Sequence, residues 1–380
     1  MPATTFMGVD RRHDHGFRIP RPDLSMDIGT PNACNQCHSD KTASWSAQQV
    51  KQWYGDTPEG FQQFAPAINA AWQQQPDAYT MLFKLARDDK QPVIARATAL
   101  SQLPGVADRE ALMLLQQNLN ADDPLLRLGA LQALELYPVQ QRLLAFPLVW
   151  DDIKAVRILA ARLMAGYPQD QIKEEQAEVL KAAINEYIEA QKFNGERAES
   201  LVNLAGLYID MDDFTQAEEA YRKAIKLQPQ FVPAYINFAQ MLKNLSREKE
   251  AANTLTAGIQ QVPESASLYH ALGLSQIRQK EVNSALQSLG KAAALDADNN
   301  RYQYVYAVAL QSVGKVNLAL EILLKTHDAH PYDTDVLYTL VTFSRDAGRR
   351  KEALSYANKL QALVPGNPDI EKLVQQLKAK

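Results

Sequence analysis

An alanine recurs every 34 residues through the C-terminal half of the chain, at Ala217, Ala251, Ala285, Ala319 and Ala353. Twelve residues after these stand Pro229, Pro263, Ala297, Pro331 and Pro365, so four of the five units close on a residue that cannot continue a helix. A fixed period of this length argues against one close-packed globule for this half. Each unit is a single supersecondary motif that buries its apolar side only by stacking on its neighbours. In the first unit Leu201, Leu204, Ala205, Tyr208, Ala217, Tyr221 and Ala224 set large and small side chains in turn at helical spacing. The later units keep phase with Tyr235, Phe238 and Ala239, then Tyr269, Leu272 and Gly273, then Tyr306 and Ala307, then Leu337 and Leu340. Small residues let helices approach and large ones fill the space between them, which predicts a pair of packed helices per unit.

The period and its packing positions resemble the tetratricopeptide repeat. That resemblance implies an α-solenoid of five units over residues 198–365, with an amphipathic segment from Asp369 to Lys380, within 366–380, capping its open apolar end. Stacked units of this kind curve, and the first helix of each pair lines a concave groove suited to an extended peptide or a partner's helix. Helical phase assigns Asn203, Asn237, Gln240, His270, Arg278, Tyr304, Tyr338 and Arg345 to that groove. The Lys and Asn pair with which some relatives clamp a terminal carboxylate is not visible in these helices, which disfavours a chaperone-tail adaptor.

A looser repeat precedes this array. Arg96, Arg127 and Arg157 are each followed three residues later by Ala99, Ala130 and Ala160, and seven later by Leu103, Leu134 and Met164. Each arginine is preceded by acidic residues, Asp89, Asp122 or Asp123, and Asp151 or Asp152, which suit a helix N-terminus. The pattern resembles HEAT repeats with a shortened period and covers residues 56–170; residues 171–197 then read as a bridging helix. The fold class expected for the whole is all-α.

The first 55 residues differ in kind. Pro20, Pro22 and Pro31 with Gly16 and Gly29 make residues 8–33 read as extended or turned rather than helical. Trp45, Val50 and Trp53 suggest a short helix ended by Gly55. Between them sit the chain's only two cysteines, in Cys34-Asn35-Gln36-Cys37-His38. This is the spacing of a c-type haem attachment site, in which two thiols add across the haem vinyl groups and the adjacent imidazole becomes the proximal axial ligand. Zinc held by Cys34, Cys37 and two of His13, His15 and His38 is a competing reading, and a redox dithiol is another. His13 and His15 are candidate distal ligands for the iron of a six-coordinate haem, or solvated loop residues. His270, His327 and His330 fall inside the repeats, where a surface or groove role is expected rather than metal ligation.

Val9-Asp10-Arg11-Arg12-His13-Asp14-His15-Gly16-Phe17-Arg18-Ile19-Pro20-Arg21-Pro22-Asp23, then Gly29-Thr30-Pro31-Asn32-Ala33 and the Cys-x-x-Cys-His, resemble a family of bacterial multihaem c-type cytochromes with C-terminal tetratricopeptide repeats. The resemblance implies covalent haem c, distal ligation from the His-x-His element and a periplasmic setting. It also implies redox partners, as other proteins or as other haem domains of one longer chain. In that family a further Cys-x-x-Cys-His commonly lies before a Met-Pro like Met1-Pro2, which makes this chain the C-terminal portion of a longer cytochrome. The function expected is electron transfer on a scaffold that docks partners; the alternatives are a non-redox interaction module and the tail of a multihaem reductase whose catalytic haem lies upstream.

No nucleophile paired with a base, phosphate loop or paired-carboxylate site is evident in the sequence, so enzyme chemistry within it is not expected. A net charge of −4 without a block of Lys or Arg lacks the electrostatic footprint of a nucleic-acid binder. No apolar stretch approaches the ~18 residues needed to span a bilayer.

Overall fold

The computed structural model describes residues 3–6, 10–13, 19–56, 62–103, 109–168 and 171–379, of which 3–6 and 10–13 are described by backbone alone. The chain divides into two compact units, Met1–Ala133 and Leu134–Lys380. The architecture is helical, with one addition: strands β1 (Ala3–Phe6) and β2 (Asp10–His13) pair antiparallel, with Ala3 opposite His13.

In the first unit the helices are α1 (Pro22–Ile28), α2 (Ala33–Cys37), α3 (Ala43–Tyr54), α4 (Ala65–Trp72), α5 (Ala78–Arg87), α6 (Val93–Ser101), α7 (Arg109–Leu119) and α8 (Pro124–Leu134), whose last residue is counted with the second unit. Helix α1 corrects the expectation that residues 8–33 avoid helix. Pro22 sits in the first turn, where its missing N–H removes no intrahelical bond, and Gly29 closes the helix at φ 73°. Asp23, in the same turn, forks onto Arg21 at 2.6 Å, and that bond holds its carboxyl below the usual range. The proline signalled a start, not a break. Helix α3 ends at Gly55 as its sequence predicts.

The recurring arginines explain the looser repeat. Arg96 Nε donates to the Ala86 carbonyl at 3.2 Å, and Arg127 Nη1 donates to the Ala121 and Asp122 carbonyls at 2.7 and 2.9 Å. In the second unit Arg157 donates likewise to the Asp151 carbonyl. Arg96 thus ties the last turn of α5 to α6, and Arg127 and Arg157 each tie the turn before their helix to the helix itself. The aspartates act differently: Asp123 caps α8 by accepting the Leu125 N–H at 2.9 Å, whereas Asp151 accepts the Ile153 N–H at 2.8 Å and shapes the turn before α10. Ala99, Ala130 and Ala160 are fully buried, as are Leu103, Leu134 and Met164. Close packing reaches its limit at Gly129, where an added Cβ would lie 2.5 Å from the Ala97 carbonyl oxygen of α6.

The second unit begins with α9 (Val139–Arg142), which runs into a 3-10 segment, Leu143–Trp150, then α10 (Lys154–Met164) and the long α11 (Glu174–Phe193). Arg157 and Glu186 fork together across α10 and α11 at 2.7 and 2.8 Å, and the guanidinium holds the Glu186 carboxyl below its usual range.

Five helix pairs complete the array. They are α12 (Ala198–Asp210) with α13 (Phe214–Leu227), α14 (Val232–Asn244) with α15 (Glu248–Gln261), α16 (Ala266–Arg278) with α17 (Val282–Leu295), α18 (Asn300–Ser312) with α19 (Val316–Ala329), and α20 (Thr334–Asp346) with α21 (Arg350–Leu363). The five periodic alanines lie in the second helices and are at most 1% exposed, so no larger side chain fits without displacing a neighbouring helix. Tyr221 stacks on Phe238 of the next unit with ring centroids 5.5 Å apart. Units are also laced by polar bonds: Glu218 to Arg247 at 2.6 Å, Glu248 to Arg278 at 2.8 Å, and Arg349 to Asn317 at 2.6 Å. Helix α22 (Pro368–Lys378) buries Ile370, Leu373, Val374 and Leu377, and Arg350 donates to two of its last carbonyls, at Gln376 and Leu377. This helix covers the apolar end that a sixth unit would otherwise occupy. No helix among the described residues is long and apolar enough to cross a membrane.

Candidate functional site

In the first unit the Cys-x-x-Cys-His element forms α2 and its C-terminal turn. Asn32 Oδ1 caps the helix by accepting the Asn35 N–H at 3.1 Å, and Asn32 Nδ2 donates to Ser25 Oγ of α1 at 2.8 Å. One helical turn therefore separates Cys34 from Cys37, which places both on one side of α2. The His38 N–H closes the turn on the Cys34 carbonyl at 2.8 Å. Asn35 fastens the loop and helix beyond: its Nδ2 donates to the Lys41 carbonyl at 2.8 Å and its Oδ1 accepts from Ser46 Oγ at 3.1 Å. Ser46 is almost fully buried, so the start of α3 is fixed against α2, and Trp45 comes to rest 5.1 Å from the His38 ring.

Cys34, Cys37 and His38 line one cavity of about 330 Å³ together with Ala33, Trp45, Ser46, Gln49 and Trp53. Both thiols are free, and the His38 ring makes no hydrogen bond among the described residues. Two unpaired thiols one turn apart, an uncommitted imidazole beside them and two tryptophans on the cavity wall match the donor set of a covalently held haem. His15 lies outside the described residues, and His13 is described only by its backbone in β2, so neither distal candidate is placed against the cavity. Among the described residues no three His, Cys, Asp or Glu side chains are grouped as metal ligands. Nothing in the local sequence marks Asn35 and Ser46 as the brace of this site, because their bond joins two helices across a turn.

In the second unit all eight residues assigned to the groove lie on first helices and are exposed or half-exposed. Three of these helices touch in succession, α12 with α14 and α14 with α16, as the inner helices of a curved stack do. Asn203 donates to Gln191 at 3.3 Å and Gln240 to Asn244 at 3.0 Å, while Arg278 pairs with Glu248 and Arg345 with Asp346. His270 packs on Tyr302 with ring centroids 4.6 Å apart; burial, and then the charge of Arg301, push its pKa down to about 4. Arg301 lies over the Tyr304 ring at 5.7 Å, and Tyr338 is 49% exposed. Arg301 and Tyr302 were not among the expected groove residues; the signal available was their place in the first turn of the helix that carries Tyr304.

The other repeat histidines part company. His330 is half-buried and bonds the Asp298 carbonyl of the preceding repeat at 2.8 Å. His327 is neither on the surface nor in the groove: it is 5% exposed, with Nε2 3.2 Å from Lys359 Nζ, and burial followed by that ammonium lowers its pKa.

The tetratricopeptide repeat family model matches residues 198–231. Over 224 residues, 56% of this chain, the sequence is 26% identical to human Protein O-mannosyl-transferase TMTC3, of which the match covers 24%. The mouse protein of the same name is 25% identical over 162 residues, 42% of this chain and 18% of its own length. The chain thus spans a quarter or less of these relatives. Among solved structures it is similar to YrrB, a TPR protein with an unusual peptide-binding site (21% identity, 51% of this chain and 98% of that one, TM-score 0.40). It is also similar to PilF of Pseudomonas aeruginosa (20% identity, 60% and 98%, TM-score 0.41). With its 34-residue period, five helix pairs and matched first repeat, the C-terminal segment of this chain is a solenoid of tetratricopeptide repeats.

Proposed function

We propose that the chain is a protein-docking scaffold that holds an extended peptide, or a helix of another protein, along the first helices of its repeats. The observation that carries this reading is the division of labour in each unit. The periodic small and large residues are consumed in stacking, whereas Asn203, Asn237, Gln240, His270, Tyr304, Tyr338 and Arg345 on the first helices remain outside the core. Amides that pair with a peptide backbone precede aromatic and cationic side chains that select its residues, a division suited to groove recognition. Panning a random-peptide display library on the full chain tests it. Enrichment is expected and should be lost on a chain carrying Asn237→Ala, Tyr338→Ala and Arg345→Ala together; enrichment untouched by the triple change would contradict the groove.

A second reading is supported by the geometry of α2: haem c held by Cys34 and Cys37 through thioether bonds, with His38 as proximal ligand and His13 or His15 as distal ligand. Such a group supplies one-electron transfer when bound. The chain's own part would be to fix both thiols on one helical turn, aim His38 through the Asn35 brace and shield the site with Trp45 and Trp53. In that reading the protein is periplasmic, because haem c is attached outside the cytoplasm. The repeats then dock a redox partner, or the chain is the tail of a longer multihaem carrier or reductase. Co-expression with a cytochrome maturation system and an added export signal should give a haem-staining band that survives denaturation; its absence would leave the scaffold alone.

A further inference from the structure

We infer that the first helices of the third and fourth repeats, α16 and α18, carry an anchor for an acidic side chain of the docked peptide, built on Arg301 with His270 and Tyr304 beside it. This anchor rests on the groove reading and defines the chemistry of its partner: a peptide carrying Asp or Glu next to an aliphatic or aromatic residue.

The repeats commit nearly all of their arginines. Between residues 198 and 365, Arg222, Arg247, Arg278, Arg345 and Arg349 each have a carboxylate within 4.0 Å, and Arg350 is committed to the carbonyls of α22. Arg301 is the exception: among the described residues its side chain has neither an ion pair nor a hydrogen bond, and it is exposed in the first turn of α18. Its guanidinium rests over the Tyr304 ring with the carbon 5.7 Å from the centroid. A guanidinium held on an aromatic ring keeps its planar fork directed outward and loses little further freedom when it takes a carboxylate through two N–H groups.

The surroundings fit a peptide rather than a free anion. Arg301, Tyr304 and Val308 follow at helical spacing along one side of α18, and Val308 is 37% exposed. His270, Tyr304 and Tyr338 occupy the same position of three successive units, 34 residues apart, making a row of flat rings along the stack. His270 adds an Nδ1 that is buried without a hydrogen-bond partner, beside the Tyr302 ring. Closed off from the surface, that nitrogen lies out of a peptide's reach, so His270 serves the anchor as a ring packed on Tyr302. The protein as a whole carries −4, so net charge does not draw an acidic segment to it; selection is local, at the unpaired arginine.

The test uses the strongest peptide from display on the full chain, synthesised with a fluorophore and titrated by polarisation. Its sequence should place Asp or Glu beside Leu, Ile, Phe or Tyr. Arg301→Met, at an exposed position that leaves the melting curve in place, should weaken binding about tenfold or more, with Arg301→Lys between the two. Changing the peptide's acid to its amide should cost a similar factor on the original chain and little further on Arg301→Met, the signature of one shared interaction. Peptides without an acid, or equal binding to Arg301→Met while Asn237→Ala or Tyr338→Ala still weakens it, would overturn the anchor and leave the groove. No enriched peptide, or binding indifferent to every one of these changes, would overturn both.

Discussion

Replacing Gly129 by alanine should destabilise the first unit even though alanine is the better helix former. In the interior of α8 the exchange is worth about 1 kcal/mol in favour of the helix. Against this stands the approach of α8 to α6: the new Cβ would lie 2.5 Å from the Ala97 carbonyl oxygen and 3.0 Å from its carbonyl carbon and Cα. Ordinary contact begins near 3.4 Å, so the clash is roughly 1 Å deep, and all three atoms are backbone. Ala95, Ala97, Ala99 and Leu100 are buried on α6, so that helix can retreat only by opening its own packing. Overpacking of this kind costs about 1–3 kcal/mol and more where backbone must move, which leaves a net loss near 1–2 kcal/mol. A chain of several units need not unfold in one step, so the assay is hydrogen exchange followed by mass spectrometry on peptides spanning 93–101 and 124–134. Exchange there should quicken by about five- to thirtyfold. Slower exchange, or a raised melting temperature, would refute the reasoning and show that propensity outweighs the contact.

Arg127→Met should cost about 1–3 kcal/mol by freeing the Ala121 and Asp122 carbonyls from their charged donor, seen as faster exchange in residues 121–134, whereas an unchanged rate would remove the arginine brace as the cause of that repeat. His270, with a folded pKa near 4 against the ordinary 6.5, is held neutral by burial and by Arg301 beside it. The unfolded chain therefore binds its proton first, and the stability tied to neutral His270 is full above about pH 6.5 and is lost as pH falls toward 4. Denaturant midpoints of the chain and of His270→Gln should diverge across that window; parallel curves would count against it. Cys34→Ala with Cys37→Ala should abolish any denaturation-resistant haem stain, and single replacements of His13 and His15 should show which, if either, sustains a low-spin six-coordinate spectrum.

The repeat array was legible because helix stacking demands small residues at fixed places, and a demand repeated five times shows in a single sequence as a period. Ala217 and its four successors carry that signal alone. The features that stayed hidden share a physical cause, dependence on partners far along the chain. Arg127 recurs with its relatives, but nothing in its spacing says that the guanidinium bonds a carbonyl of the preceding turn rather than water. Pro22 is ambiguous because proline both ends helices and opens them, and Asp23 with Gly29 decides the case only once the turn is formed. His327 reads as polar and is buried, since Lys359 and Tyr356 reach it from the next unit. Arg301 looks like any surface arginine until the other repeat arginines are seen to be committed, Arg247 and Arg278 to glutamates of the unit before. In the first unit the Cys-x-x-Cys-His spacing named a chemistry at once, while the Asn35 and Ser46 bond that sets its geometry left no mark in the sequence.

Whether the first helices form the docking surface is tested most directly by hydrogen-exchange protection of the full chain with and without a saturating selected peptide. Protection is predicted on α14, α16, α18 and α20, at Asn237, His270, Tyr304 and Tyr338, with α15, α17, α19 and α21 unchanged. Protection confined to those second helices, or to the first unit, would contradict a docking surface on the first helices.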